Sequence, residues 1–155
     1  MDTKKCQKCI AKPGYHNFIK LCKVNGSQLI YTSPAKTEDF NEDGTKLDNI
    51  KLHVEEINEP WTWVMDCKNM ELKHYTEISF NIGLLGVLAA DKNLQDVWIL
   101  RPNIWIRTTI SFLQGFYSAP ILQKIKYVTG SNLDLYTSIT NLGLNEGCAH
   151  WLISQ

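Results

Sequence analysis

Apolar positions between Trp61 and Val128 alternate between short solid runs and longer stretches of helical period. The runs Trp61 to Cys67, Asp96 to Leu100 and Ile125 to Val128 are apolar enough to be interior strands of a parallel sheet. On the first of them, Trp61, Trp63, Met65 and Cys67 point one way and Thr62, Val64 and Asp66 the other. Between the runs the spacing predicts a helix from about His74 to Asp91. Its stripe is Tyr75, Ile78, Ile82, Leu85 and Ala89, widened by Phe80, Leu84 and Leu88. A helix apolar nearly all round is expected where it is sandwiched between a sheet and another layer. A second long helix is expected from Asn103 to Tyr117, and a short one from near Ala119. Strand, helix, strand, helix, strand is the grammar of a parallel sheet with right-handed crossovers.

Ahead of this block, Asn17 to Val24 and Ser27 to Thr32 are β-rich runs separated by Asn25-Gly26. That dipeptide adopts the positive φ angles of a type I′ turn, so an N-terminal β-hairpin is expected at one edge of the sheet. The acidic stretch TEDFNEDG leads to a helix from Thr45 to Ile57, with Thr45 and Asp48 as a capping box and Leu47, Ile50, Val54 and Ile57 as its buried stripe. Residues 1–16 lack a clear period and are expected to be poorly structured, with a turn at Pro13-Gly14. After Gly130 a helix from Asn132 to Ile139 carries Leu133, Leu135, Tyr136 and Ile139, and Trp151 to Ile153 suggest that the tail packs back as a short strand. The 155 residues therefore predict a single three-layer α/β domain, a mostly parallel sheet with helices packed on it.

The helix from Asn103 to Tyr117 carries the most unusual pattern. On a wheel, Trp105, Ile106, Thr109, Ile110, Phe112, Leu113, Phe116 and Tyr117 fall in one arc of roughly 160°, wider than the stripe a helix needs to dock on one layer. Arg107, Thr108, Ser111, Gln114 and Gly115 fill the opposite arc, with Ile104 out of place among them. So wide an aromatic face covers either the sheet or a cavity that holds an apolar ligand.

The order of strand, proline turn, aromatic helix, short helix ending in Lys-Ile and strand resembles the second half of a CRAL-TRIO lipid-binding domain. The residues that carry this are Ile99, Leu100, Arg101-Pro102-Asn103, Phe112, Phe116, Lys124-Ile125 and Val128. Trp63-Val64-Met65-Asp66-Cys67 and Leu72-Lys73-His74 resemble the family's earlier strand and turn. The sequence departs from the family at Arg101-Pro102, where an Asn-Pro turn is usual, and at NLGLNEGCAHW, which replaces a proline-glycine closing segment. The resemblance implies a lipid or other apolar ligand bound without catalysis beneath the aromatic helix, by Met65, Trp105, Thr109, Ile110, Phe112, Leu113 and Phe116, with transient contact to a membrane surface. The alternative it implies is a docking scaffold of the same fold, resembling modules that bind Rho-type GTPases and their regulators.

Charge adds little. Sixteen basic and sixteen acidic residues give no global pull towards nucleic acid. The charges are split, six lysines against one aspartate over residues 1–23 and eight acids against two lysines over 37–59, and solvated surface accounts for that. Five cysteines, with no signal peptide and no run of about 18 apolar residues, predict reduced thiols in the cytoplasm.

Cys6 and Cys9 have the spacing of half a zinc site that His16 or Cys22 would complete. Cys22 belongs to an alternating strand, however, and the paired second half is missing, so the cysteines are expected to be metal-free. His53 and His74 form no metal motif, and the acidic stretch lacks the ligand positions of an EF-hand. Asp66 ends a buried strand, where α/β sheets gather ligands, but lacks the acidic pair and the lysine of a phosphoacceptor site. Neither Cys148 with His150 nor Cys67 with His74 has a nucleophile elbow, and no phosphate-binding glycine motif occurs. No cofactor and no enzymatic activity are expected.

Overall fold

The computed structural model of the protein describes residues 6–36, 45–71, 78–113 and 120–155. Its centre is a five-stranded sheet whose spatial order follows the chain: β1 (Ile19–Val24), β2 (Ser27–Thr32), β3 (Trp61–Asp66), β4 (Leu94–Leu100) and β5 (Ile125–Val128). β1 and β2 pair antiparallel through the Asn25-Gly26 turn, where φ is 51° and 79°, as a type I′ turn requires. The remaining pairs are parallel, with Trp63 beside Ile30 on one side and Val97 on the other.

Strands laid down in sequence, each crossover with the same hand, put every crossover helix on one face. That is the arrangement found. α2 (Thr45–Glu55), α3 (Ile78–Ala90), α4 (Ile104–Leu113) and α5 (Pro120–Gln123) cover the face formed by Ile30, Trp61, Trp63, Val97 and Ile99. α2 and α3 approach so closely at Gly83 that a Cβ there would strike the Leu47 side chain. The opposite face, with Leu29, Tyr31, Val64, Trp98, Leu100 and Val128, is closed by α6 (Asn132–Asn141) and α7 (Glu146–Ser154) through Leu135, Ile139, Ala149 and Leu152. The result is three layers, with the apolar alternation of β3 as expected.

Differences from the sequence reading lie at the two ends. Residues 7–11 form a short helix, α1 (Gln7–Ala11). The tail is helical, not extended: Asn145 caps α7 through Cys148 N–H, and Ala149 and Leu152 pack one turn apart. An apolar triplet such as Trp-Leu-Ile fits a strand or a buried helical turn, and the cap decides for the helix. Ala89, assigned to the apolar stripe of its helix, is exposed, and so is Leu133 on α6. The Thr45 side chain, the acidic stretch over 37–44 and the expected helix start near His74 lie outside the described residues. Among the described residues, no helix is long and apolar enough to cross a membrane.

Candidate functional site

α4 begins at Asn103, whose side-chain oxygen accepts a hydrogen bond from Ile106 N–H at 3.1 Å. Its wide apolar arc is divided. Ile106 is buried against the sheet and Ile110 is half-buried beside it, whereas Trp105 and Phe112, at the arc's other edge, are 45% and 51% exposed. Thr109, between the two edges, is half-buried, and Ile104 is 70% exposed. Met65 adds to this picture. It lies on the central strand and faces the helices, yet it alone among β3 residues is not buried. Among the described residues, the helices therefore cover the carboxyl end of β3 less fully than the rest of the strand. The side chain of Leu113 and all of Phe116 and Tyr117 lie outside the described residues.

The same carboxyl ends hold a closed polar cluster on the opposite face. Asp66 is 1% exposed and accepts hydrogen bonds from Tyr31 Oη at 2.9 Å, Arg101 Nη1 at 2.7 Å and Lys68 N–H at 3.0 Å. Arg101 has φ of 51°, a left-handed conformation that a residue before proline rarely takes. Its second guanidinium nitrogen donates to the Ile153 carbonyl in α7 at 2.8 Å, and Lys68 Nζ donates to the Gln155 carbonyl. Burial, then the Asp66 charge, pushes the Tyr31 hydroxyl above its usual range. Asp66 therefore caps the next turn and pairs with arginine, with no acidic partner beside it among the described residues.

Four of the five cysteines fall into two pairs, and Cys67 is buried in the core at the end of β3. Cys22 on β1 and Cys148 on α7 border the α6–α7 face, and burial, then Cys148, pushes the Cys22 thiol up to about 12. His150, once paired in the sequence reading with Cys148, is exposed and packs on the Tyr136 ring. His74, the partner considered for Cys67, lies outside the described residues.

Cys6 and Cys9 lie one turn apart at α1, and both meet His16 and α2. His16 Nδ1 lies 3.4 Å from Cys6 Sγ, 3.3 Å from Cys9 Sγ and 3.1 Å from His53 Nε2, and Cys9 Sγ lies 3.3 Å from His53 Nε2. The four ligand atoms all fall within 4.8 Å of one another. Burial raises the Cys9 thiol, partly offset by the His16 backbone. The sequence spacing offered His16 or Cys22 as completing ligands. The structure brings in His16, leaves Cys22 on another face, and adds His53, which sequence reasoning set aside. The metal-free expectation rested on the odd number of cysteines and their mismatched spacing, and the fold brings in from α2 a ligand atom that spacing did not show.

Compared with known proteins, the chain matches no family model and no curated protein sequence.

Proposed function

We propose that this protein is a non-catalytic binding module that takes a long-chain apolar ligand, a lipid, between Met65 and α4. The observation that carries the reading is the partial exposure of Met65 on a central strand, together with the exposure of Trp105 and Phe112 on the apolar arc of α4. A lipid chain laid along Met65, Thr109 and Ile110 would cover the apolar surface that the domain itself leaves wet. The resemblance of Ile99 to Val128 to CRAL-TRIO domains supports the same reading, as does the placement of that stretch as strand, helix, short helix and strand. The Asp66 carboxylate, which ends β3, is already engaged by Tyr31, Arg101 and the Lys68 amide.

Native mass spectrometry of the purified chain is expected to reveal co-purified lipid, and fluorescent fatty acids, phospholipids or sterols should bind. Phe112→Ala should weaken uptake while costing under about 1 kcal/mol of stability, against about 3–5 kcal/mol for a fully packed phenylalanine. If all three probe classes fail to bind the wild type and no lipid co-purifies, the carrier reading is wrong. Retention of a Rho-type GTPase or its regulator by the same protein would then favour the docking module.

A further inference from the structure

We propose that Cys6, Cys9, His16 and His53 bind one zinc ion in a closed tetrahedral site that fastens the N-terminal segment to α2. A tetrahedral zinc ion with bonds of about 2.3 Å to sulfur and about 2.05 Å to nitrogen sets the edges of its ligand tetrahedron. They come to about 3.6 Å between sulfur and nitrogen and about 3.3 Å between two nitrogens. Four of the six separations, 3.3–3.4 Å and 3.1 Å, match those edges within a few tenths of an ångström, and the other two lie within 4.8 Å.

Hydrogen bonding alone accounts poorly for the cluster. His16 Nδ1 has three close neighbours, two sulfurs and a nitrogen. One imidazole nitrogen offers a single in-plane lone pair or a single proton, which serves one such neighbour well and three badly. The same nitrogen is a natural neighbour of three other ligands grouped around a common ion.

The donor set selects the metal. Two thiolates and two imidazoles at the corners of a tetrahedron suit zinc, and the two thiolates balance its double charge, so the centre can be buried without net charge. Four protein ligands leave no position for water, and Cys6 and His16 are buried (His16 is 1% exposed), which makes the site structural rather than catalytic.

The surroundings hold each ligand in place. The α1 turn, closed by Ile10 N–H donating to the Cys6 carbonyl at 3.1 Å, presents Cys6 and Cys9 on one side. Asn17, at φ of 45°, exchanges two hydrogen bonds with the Ser33 backbone and so anchors the residue after His16 to the end of β2. The Phe18 ring lies flat on the His53 ring, centroids 4.5 Å apart and planes 6° from parallel. Supporting contacts of this kind orient metal ligands. Loading the site fastens α1 and the turn at His16, which follow one another in the chain, to α2.

The test uses the whole chain, stripped with EDTA, dialysed and titrated with zinc or with cobalt as its spectroscopic substitute. One zinc per chain is expected, together with the intense visible absorption of tetrahedral, thiolate-bound cobalt. Cys9→Ser and His53→Ala should each abolish that absorption and weaken zinc binding by at least about 100-fold, beyond what loss of a supporting contact costs. Cys22→Ser should leave both unchanged. In the wild type, which needs no variant to fold, zinc should slow alkylation of Cys6 and Cys9 but not of Cys22 and Cys148. Binding well below one zinc per chain, a pale octahedral cobalt spectrum, or equal alkylation of the two cysteine groups with and without zinc would each overturn the proposal.

Discussion

Two buried polar clusters lie on opposite faces of one sheet, and they are completed in different ways. Around Asp66 the chain supplies every complement: a phenol, a guanidinium and an amide N–H all donate to one carboxylate. Around His16 two sulfurs and a second imidazole nitrogen converge on one atom that can bond well to one of them. A polar cluster that closes on itself reads as architecture. One made only of Lewis bases calls for a cation from outside.

The comparison is most severely tested at Arg101. Arg101→Leu strands the Asp66 carboxylate in the interior and should cost about 3–5 kcal/mol in urea unfolding. Asp66→Asn in the same background should recover much of that loss, because the stranded charge is then gone. If Arg101→Leu proved neutral, the Asp66 cluster would not be the self-sufficient one.

The Cys6 cluster should instead respond to what is added. Zinc at roughly 100 to 1,000 times its Kd should stabilise the wild type by about 2.7–4.1 kcal/mol. Chelation should lower the melting temperature of the wild type and leave Cys9→Ser unmoved. Chelator-insensitive melting of the wild type would place the two clusters in one class.

Tyr31→Phe removes one hydrogen bond to a charged acceptor and should cost about 1.5–3 kcal/mol. It should also change the alkaline limb of the stability curve. Because the folded-state pKa of Tyr31 is raised, its contribution is complete below the ordinary tyrosine value and is lost as pH climbs beyond it. Wild type and variant should therefore converge above about pH 10.

Smallest, and a scale for the rest, is an exposed polar cluster. Ser131 caps α6 in a reciprocal capping box with Asp134, and Ser131→Ala should cost about 1 kcal/mol with no dependence on zinc. A larger loss would mean that solvent exposure does not separate this cap from the buried clusters.

Much of this architecture was legible because its signals are local. Asn25-Gly26 dictates its own turn, and the β-rich run Ile125–Val128 is closed by the turn at Gly130, so both could be read from neighbouring residues. The division of α4 was half legible: the wheel gave the width of the arc, but only packing decides that Ile106 enters the core while Trp105 and Phe112 do not. His53 was not legible. It lies 37 positions from His16, on a helix recognisable only as amphipathic, and no spacing rule links the two before the sheet and α2 are in place. Arg101 was noted as a departure from an Asn-Pro turn, and its partner Asp66 was singled out for other reasons. Their pairing arises because β3 and β4 are parallel neighbours in register at Asp66 and Leu100.

The sheet's strand order has a consequence for synthesis. Because each strand pairs with the one made just before it, the sheet can assemble in step with the emerging chain, without holding an early strand open for a late one. The Asp66–Arg101 pair belongs to that early assembly, but the Ile153 carbonyl that completes the guanidinium arrives some fifty residues later. A nascent chain halted between β5 and α6 would thus carry a finished sheet with one face bare. That half-made face is where a chaperone would be expected to bind.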